Sequence, residues 1–169
     1  MSDRRFWTSK VVTTLCASWL DRVTSQTDAA LIRTRITKPA ASNIGCGPDD
    51  RTGPALERVL VERLGATVVG RELVPDDLEQ IRGAIVRWCD GGGCDLLVTN
   101  GGTGMAPRDV TPEATRGVLD VEAPGLAELM RSAGLAHTPM AALSRQLAGR
   151  RGATIVLNVG AQYADLLGG

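Results

Sequence analysis

The sequence predicts an α/β protein, a three-layer α/β/α sandwich around a mostly parallel sheet. Three observations carry this. Strand-like and helix-like patterns alternate through the middle of the chain, as parallel sheets with crossover helices require. An apolar run, Leu96-Leu97-Val98, stops at Asn100 and enters a glycine-rich turn followed by a helix start. A last apolar run, Thr154 to Val159 (TIVLNV), reads as a buried strand.

Taken in order, Val11 to Leu15 (VVTTL) is expected to form a first strand. Residues 16–44 read as a loop insertion or a short extra helix over DAALIRTRI. A glycine-rich segment, Gly45 to Pro54, precedes a helix whose Leu56, Val59, Leu60 and Leu64 share one face. Gly65 is placed to end that helix in a left-handed conformation. Ala66 to Val74 alternates as a strand and runs into Pro75-Asp76-Asp77. Leu78, Ile81, Ile85 and Trp88 then mark a second amphipathic helix, with Asp76 and Glu79 spaced as a near capping box. Gly91-Gly92-Gly93 is a connector into the central strand. Thr111-Pro112 reads as an N-cap and first-turn proline, with Glu113 favourably placed against the helix dipole. Ala123-Pro124-Gly125 punctuates the chain before a helix lined by Leu126, Leu129, Met130 and Ala133 and ending at Gly134.

The 169 residues suffice for one domain, and the whole of 1–169 is expected to form it, with atypical segments at 16–44 and 159–169. Nineteen basic and nineteen acidic residues cancel, so no global field favours nucleic acid or membrane. Aromatic residues at 3% also disfavour base-stacking platforms. With a polar MSDRR start and no bilayer-length apolar run, a cytoplasmic location is the expectation. Cys16, Cys46, Cys89 and Cys94 have neither zinc nor redox spacing and read as thiols. His137 has no second histidine to pair with and reads as a loop residue.

The chemistry concentrates at Gly101-Gly102-Thr103-Gly104. Glycines there let successive N–H groups turn inward on one point, a concavity suited to phosphate; the alternative is a tight turn without a ligand. Asp109 stands beside that turn as a ligand or the head of an Asx-turn, and Arg108 as an anion contact or the partner of a helix carboxylate. Asp76 falls at a strand's carboxyl end, where open α/β sheets bind ligands, although a helix cap explains it locally. Asp50 is a turn residue or a ligand contact.

The run Thr99-Asn100-Gly101-Gly102-Thr103-Gly104, joined to Pro107-Arg108-Asp109-Val110-Thr111-Pro112-Glu113-Ala114-Thr115, resembles the signature of the molybdopterin adenylyltransferases. That family includes the G domain of gephyrin and its bacterial and plant counterparts. Val74-Pro75-Asp76-Asp77 is similar to the family's V-P-D-[DE], Asp50 to Pro54 to its D-R-S-G-P, and Leu143-Ser144-Arg145 to its L-S-R. The resemblance covers roughly Gly45 to Asn158. It implies transfer of AMP from Mg-ATP to molybdopterin with release of pyrophosphate, by a homotrimer. It assigns Asp76 and Asp109 as catalytic carboxylates holding Mg²⁺. Asp50, Gly101, Gly102, Thr103, Gly104, Arg108, Ser144 and Arg145 would contact ATP or molybdopterin, and Glu122 is a further candidate. Two departures stand out. Cys16 to Asp21 replaces the family's Ser-Asp pair, and Asn158-Val159-Gly160 replaces its Leu-Pro-Gly loop. A catalytically impaired molybdopterin-binding or scaffold module is the alternative that these departures favour.

Overall fold

A computed structural model of the chain describes residues 33–40, 52–64, 66–92 and 94–160. In chain order these form β1 (Arg33–Ala40), α1 (Thr52–Leu64), β2 (Thr67–Pro75), α2 (Leu78–Asp90) and β3 (Leu96–Asn100). They continue with α3 (Thr111–Arg116), β4 (Val121–Glu122), α4 (Pro124–Leu135), a 3-10 turn (Pro139–Leu143), β5 (Ala148–Arg151) and β6 (Thr154–Val159).

The strands make one six-stranded sheet in the order β2-β1-β3-β6-β5-β4. β2, β1, β3 and β6 run parallel, and β5 and β4 add an antiparallel edge. The expected strand at Val11–Leu15 and residues 45–51 of the glycine segment lie outside the described residues, as does Gly65, while Thr52 to Pro54 of that segment open α1. The expected loop or helix over DAALIRTRI is corrected: Arg33 to Ala40 is a strand, seated between β2 and β3. Thr34, Ile36 and Thr37 are β-branched residue types, which suit a pleated backbone although Arg35 stands among them.

Alternate residues of β3 and β6 feed two cores. Leu97 and Val156 meet Ile81, Ala84 and Ile85 of α2 and Ala114 of α3. Leu96 and Val98, with Ile155, Leu157 and Val159 packed alongside, meet Leu56 and Leu60 of α1. Helices therefore cover both faces, and the three-layer architecture stands. Leu60 and Leu97 are fully buried, and each such side chain contributes about 1.5–3 kcal/mol. In α4 the buried face is Ala127, Met130 and Gly134, rotated from the one read in the sequence.

Two helix starts sit one residue away from expectation. Asp77, not Asp76, caps α2, accepting the Gln80 N–H at 2.9 Å. Val110, not Thr111, precedes α3, so Thr111 is its first residue.

The crossover from β1 through α1 to β2 runs one way across the sheet. The next, through α2 to β3, runs back over the other face. β1 and β3 thus flank a topological switch point, where open α/β sheets receive ligands. Register sets the heights around it. Thr37 pairs with Thr99, whereas β1 and β2 stay paired to Ala40 and Pro75. Three further residues at about 3.3 Å each carry Pro75 roughly 10 Å past the level of Thr99, and Asp76 follows at the height of the glycine turn.

Candidate functional site

The turn leaving β3 begins with Gly101 at φ +96° and Gly102 at φ +63°. Residues with a Cβ avoid these angles. At Gly102 there is also no room, since a Cβ would lie 2.3 Å from Thr111 Oγ1. That same position is 3.6 Å from Asp76 Oδ1, so the Asp76 carboxylate stands against the turn. Relieved of capping by Asp77, Asp76 is half-buried at the carboxyl end of β2.

Asp109 closes the other side. Its Oδ2 lies 2.7 Å from where a Gly104 Cβ would be, and it accepts the Ala106 N–H at 3.0 Å. The Asp109 N–H donates in return to the Ala106 carbonyl at 2.9 Å. This is a clasp reaching back three residues rather than an Asx-turn. The two aspartates therefore bracket one loop, Asp76 at Gly102 and Asp109 at Gly104.

Within that loop the Gly101 N–H, expected in the cradle, donates to the Val159 carbonyl at 3.0 Å. Among the described residues, the N–H groups of Gly102, Thr103, Gly104 and Met105 donate to no backbone carbonyl or side chain. Four successive amides remain, one residue further along than the four expected. Met105 is the member that sequence reading missed, because its contribution is an amide and its side chain carries no signal.

Ser144 and Arg145 reach the same loop from the 3-10 turn. Ser144 Oγ lies 3.3 Å from Thr103 Oγ1, and the Arg145 N–H donates to the Thr103 carbonyl at 2.8 Å. The Arg145 guanidinium, expected to hold substrate, is engaged by the protein. Nε donates to the Gly104 carbonyl at 2.8 Å, another nitrogen to the Asp109 carbonyl, and the third pairs with Glu113 on α3. Arg108 is exposed and forms no ion pair among the described residues. Glu122 pairs with Arg116 at 2.8 Å on the surface, and His137 lies exposed in a turn. Asp50 is outside the described residues.

Below the loop lies a buried polar bridge that the sequence did not announce. Asn158 Nδ2 donates to Thr99 Oγ1 at 2.7 Å and to Thr115 Oγ1 at 2.9 Å. Thr115 Oγ1 donates to the Thr111 carbonyl at 2.8 Å. β6, β3 and α3 are thereby joined directly under Gly102. Asn158 looked only like the residue before a divergent loop.

No helix among the described residues is long and apolar enough to cross a membrane. None of the described residues forms a group of three or more His, Cys, Asp or Glu able to hold a metal. Two carboxylates and a row of amides remain, a set of hard oxygen ligands and anion donors at a switch point.

Fold and site together define an α/β domain whose glycine loop after β3 lies between the carboxylates of Asp76 and Asp109. Residues 34–161 match the family described as "Probable molybdopterin binding domain", and the chain belongs to that family. It is 43% identical over 112 residues to a Helicobacter pylori (strain J99) protein named molybdopterin adenylyltransferase, covering 66% of this chain and 64% of that relative. An Escherichia coli K12 protein of the same name is 40% identical over 114 residues, covering 67% of this chain and 58% of its own length. The chain thus spans less than two thirds of these curated relatives. The crystal structure of the molybdopterin biosynthesis enzyme MoaB from Thermus thermophilus is 41% identical with a TM-score of 0.69, covering 82% of this chain and 97% of that one.

Proposed function

We propose that this domain transfers AMP from Mg-ATP to the terminal phosphate of molybdopterin, releasing pyrophosphate, as a step in molybdenum cofactor biosynthesis. The observation that carries this reading is the bracketed loop: two aspartates from different segments flank a run of four amides that have no protein acceptor among the described residues. The names of the Helicobacter and Escherichia relatives supply the reaction.

The reaction brings two polyanions together, so charge must be neutralised and an in-line attack aligned. The N–H groups of Gly102 to Met105 would receive phosphate oxygens where negative charge grows. Being fixed by the fold, they need no reorganisation at the moment of reaction. Asp76 and Asp109 fit Mg²⁺, which is held by one or two carboxylates plus substrate phosphates rather than by an all-protein cage. Asp109 Oδ2 serves the Ala106 clasp, so Oδ1 would be the oxygen it offers the metal. Asp76 and Asp109 would hold the ion, whose charge would offset that of the phosphates. Arg108 would draw nucleotide or molybdopterin toward the loop from its exposed position, and Ser144 shapes the wall beside Thr103.

In the same reading residues 1–169 act as one domain in the cytoplasm, assembled as the homotrimer that the family resemblance implies. The test is pyrophosphate release on mixing the protein with ATP, Mg²⁺ and molybdopterin. Release that requires all three supports the assignment. Tight molybdopterin binding without release would replace it with a binding or scaffold module.

A further inference from the structure

We propose that Arg145 is a positioning residue that aims the Gly104 and Met105 amides, and does not itself contact the anion. This rests on the reading of the loop as a phosphate cradle. The Thr103 carbonyl accepts the Arg145 backbone N–H at 2.8 Å, and the Gly104 carbonyl accepts Arg145 Nε at 2.8 Å. No peptide bond among the described residues is cis. In a planar trans peptide the carbonyl of one residue and the N–H of the next point in opposite directions. Turning the Thr103 and Gly104 carbonyls toward residue 145 therefore turns the Gly104 and Met105 N–H groups away from it, to the opposite side of the loop. Neither N–H has a protein acceptor among the described residues.

The guanidinium is held in turn. One nitrogen donates to the Asp109 carbonyl and another pairs with Glu113 in the first turn of α3. A single rigid fork thus ties together the loop, the residue carrying the Asp109 carboxylate, and the helix behind it. Lysine has one nitrogen and no planar fork, so it keeps the charge but loses the triangulation. Glu113 is the informative partner. If Arg145 were an anion ligand, neutralising Glu113 would leave its cation freer and tighten anion binding. If Arg145 positions the loop, neutralising Glu113 loosens it.

The test uses Arg145→Lys, Glu113→Gln and the double variant, compared with the unaltered chain. Three quantities are measured: kcat and KM for ATP in pyrophosphate release, calorimetric binding of Mg-pyrophosphate, and amide hydrogen exchange over residues 102–106. Both single variants are expected to lower kcat by about 10- to 100-fold, as misplacement of reacting groups by an ångström does, with KM changed far less. The double variant should fall no further than the worse single, and exchange at Ala106, whose N–H is held by Asp109, should quicken in all three. Glu113→Gln binding Mg-pyrophosphate more tightly, or Arg145→Lys raising KM alone with exchange unchanged, would overturn the proposal. If the unaltered chain releases no pyrophosphate, the assigned reaction fails. The exchange and Mg-pyrophosphate arms then still decide the role of Arg145.

Discussion

The Asp109 carboxylate accepts the Ala106 N–H at 3.0 Å, so one of its oxygens closes the glycine loop. On the proposed reading the residue would have two separable duties: an uncharged oxygen suffices for the clasp, whereas holding Mg²⁺ would call for the carboxylate. Asp109→Asn is expected to keep the fold and Asp109→Ala to loosen the loop, while both lose AMP transfer by at least about 100-fold. Asp76→Asn should lose as much, because Asp77 rather than Asp76 caps α2. Steady-state pyrophosphate release beside urea midpoints checks this. Normal turnover by the Asp76 and Asp109 variants would remove the assignment.

Gly102 and Gly101 both have positive φ, but only Gly102 has a wall behind it. Gly101→Ala meets nothing within 4 Å and should cost only backbone strain, about 1–3 kcal/mol. Gly102→Ala should cost more, since its Cβ would overlap Thr111 Oγ1. Adding Thr111→Ala removes that oxygen but leaves the Thr111 Cβ at 3.3 Å. Urea unfolding should therefore show partial rescue, confined to the Gly102 variant.

The bridge from Asn158 to Thr99 and Thr115 lies wholly inside the protein. Asn158→Ala takes the donor from two buried hydroxyls, of which Thr115 keeps its bond to the Thr111 carbonyl, and the loss should cost about 1–3 kcal/mol. A lower denaturation midpoint is expected, with quickened exchange in α3. A midpoint equal to that of the unaltered chain would show that the bridge is dispensable.

Cys89 and Cys94 are buried thiols rather than a disulfide. Burial, reinforced by the neighbouring Cys94, pushes the Cys89 thiol up from 9.0 to about 11. The folded state then binds this proton more tightly than the unfolded chain does. The stability it brings is complete below pH 9.0 and is lost as pH rises towards about 11. Cys89→Ala should flatten the fall in urea midpoint over that window. Alkylation of Cys89 at neutral pH should be slow, because the thiolate is the nucleophile.

The strand-turn-helix units around Asp76 and Asn100 were legible because their apolar residues recur at strand and helix periods. Parallel core strands usually read as apolar runs. β1 does not, for RTRITKPA holds one large aliphatic residue among three cations and a proline. β4 and β5 escaped because Val121-Glu122 is too short for a pattern and Ala148-Gly149-Arg150-Arg151 has none. Gly149 is there for closeness: a Cβ would meet the Val121 carbonyl at 2.5 Å. At the site, the sequence pointed to Asp76, Asp109 and the glycine loop, which the fold brings together. The duty of Arg145 was hidden, since a guanidinium suits a phosphate and a backbone carbonyl equally well. The caps moved by one residue because Asp76 and Asp77 are equally good caps by type, and only the backbone chooses between them.

Asn158 and Thr99 stand 59 residues apart in the chain, yet the amide of one completes the seat of α3 beside the other. The floor beneath the cradle is consequently unfinished until the last described strand has docked. Such distant pairings form slowly. During refolding, affinity for pyrophosphate should be regained after the helices form, in step with the arrival of β6.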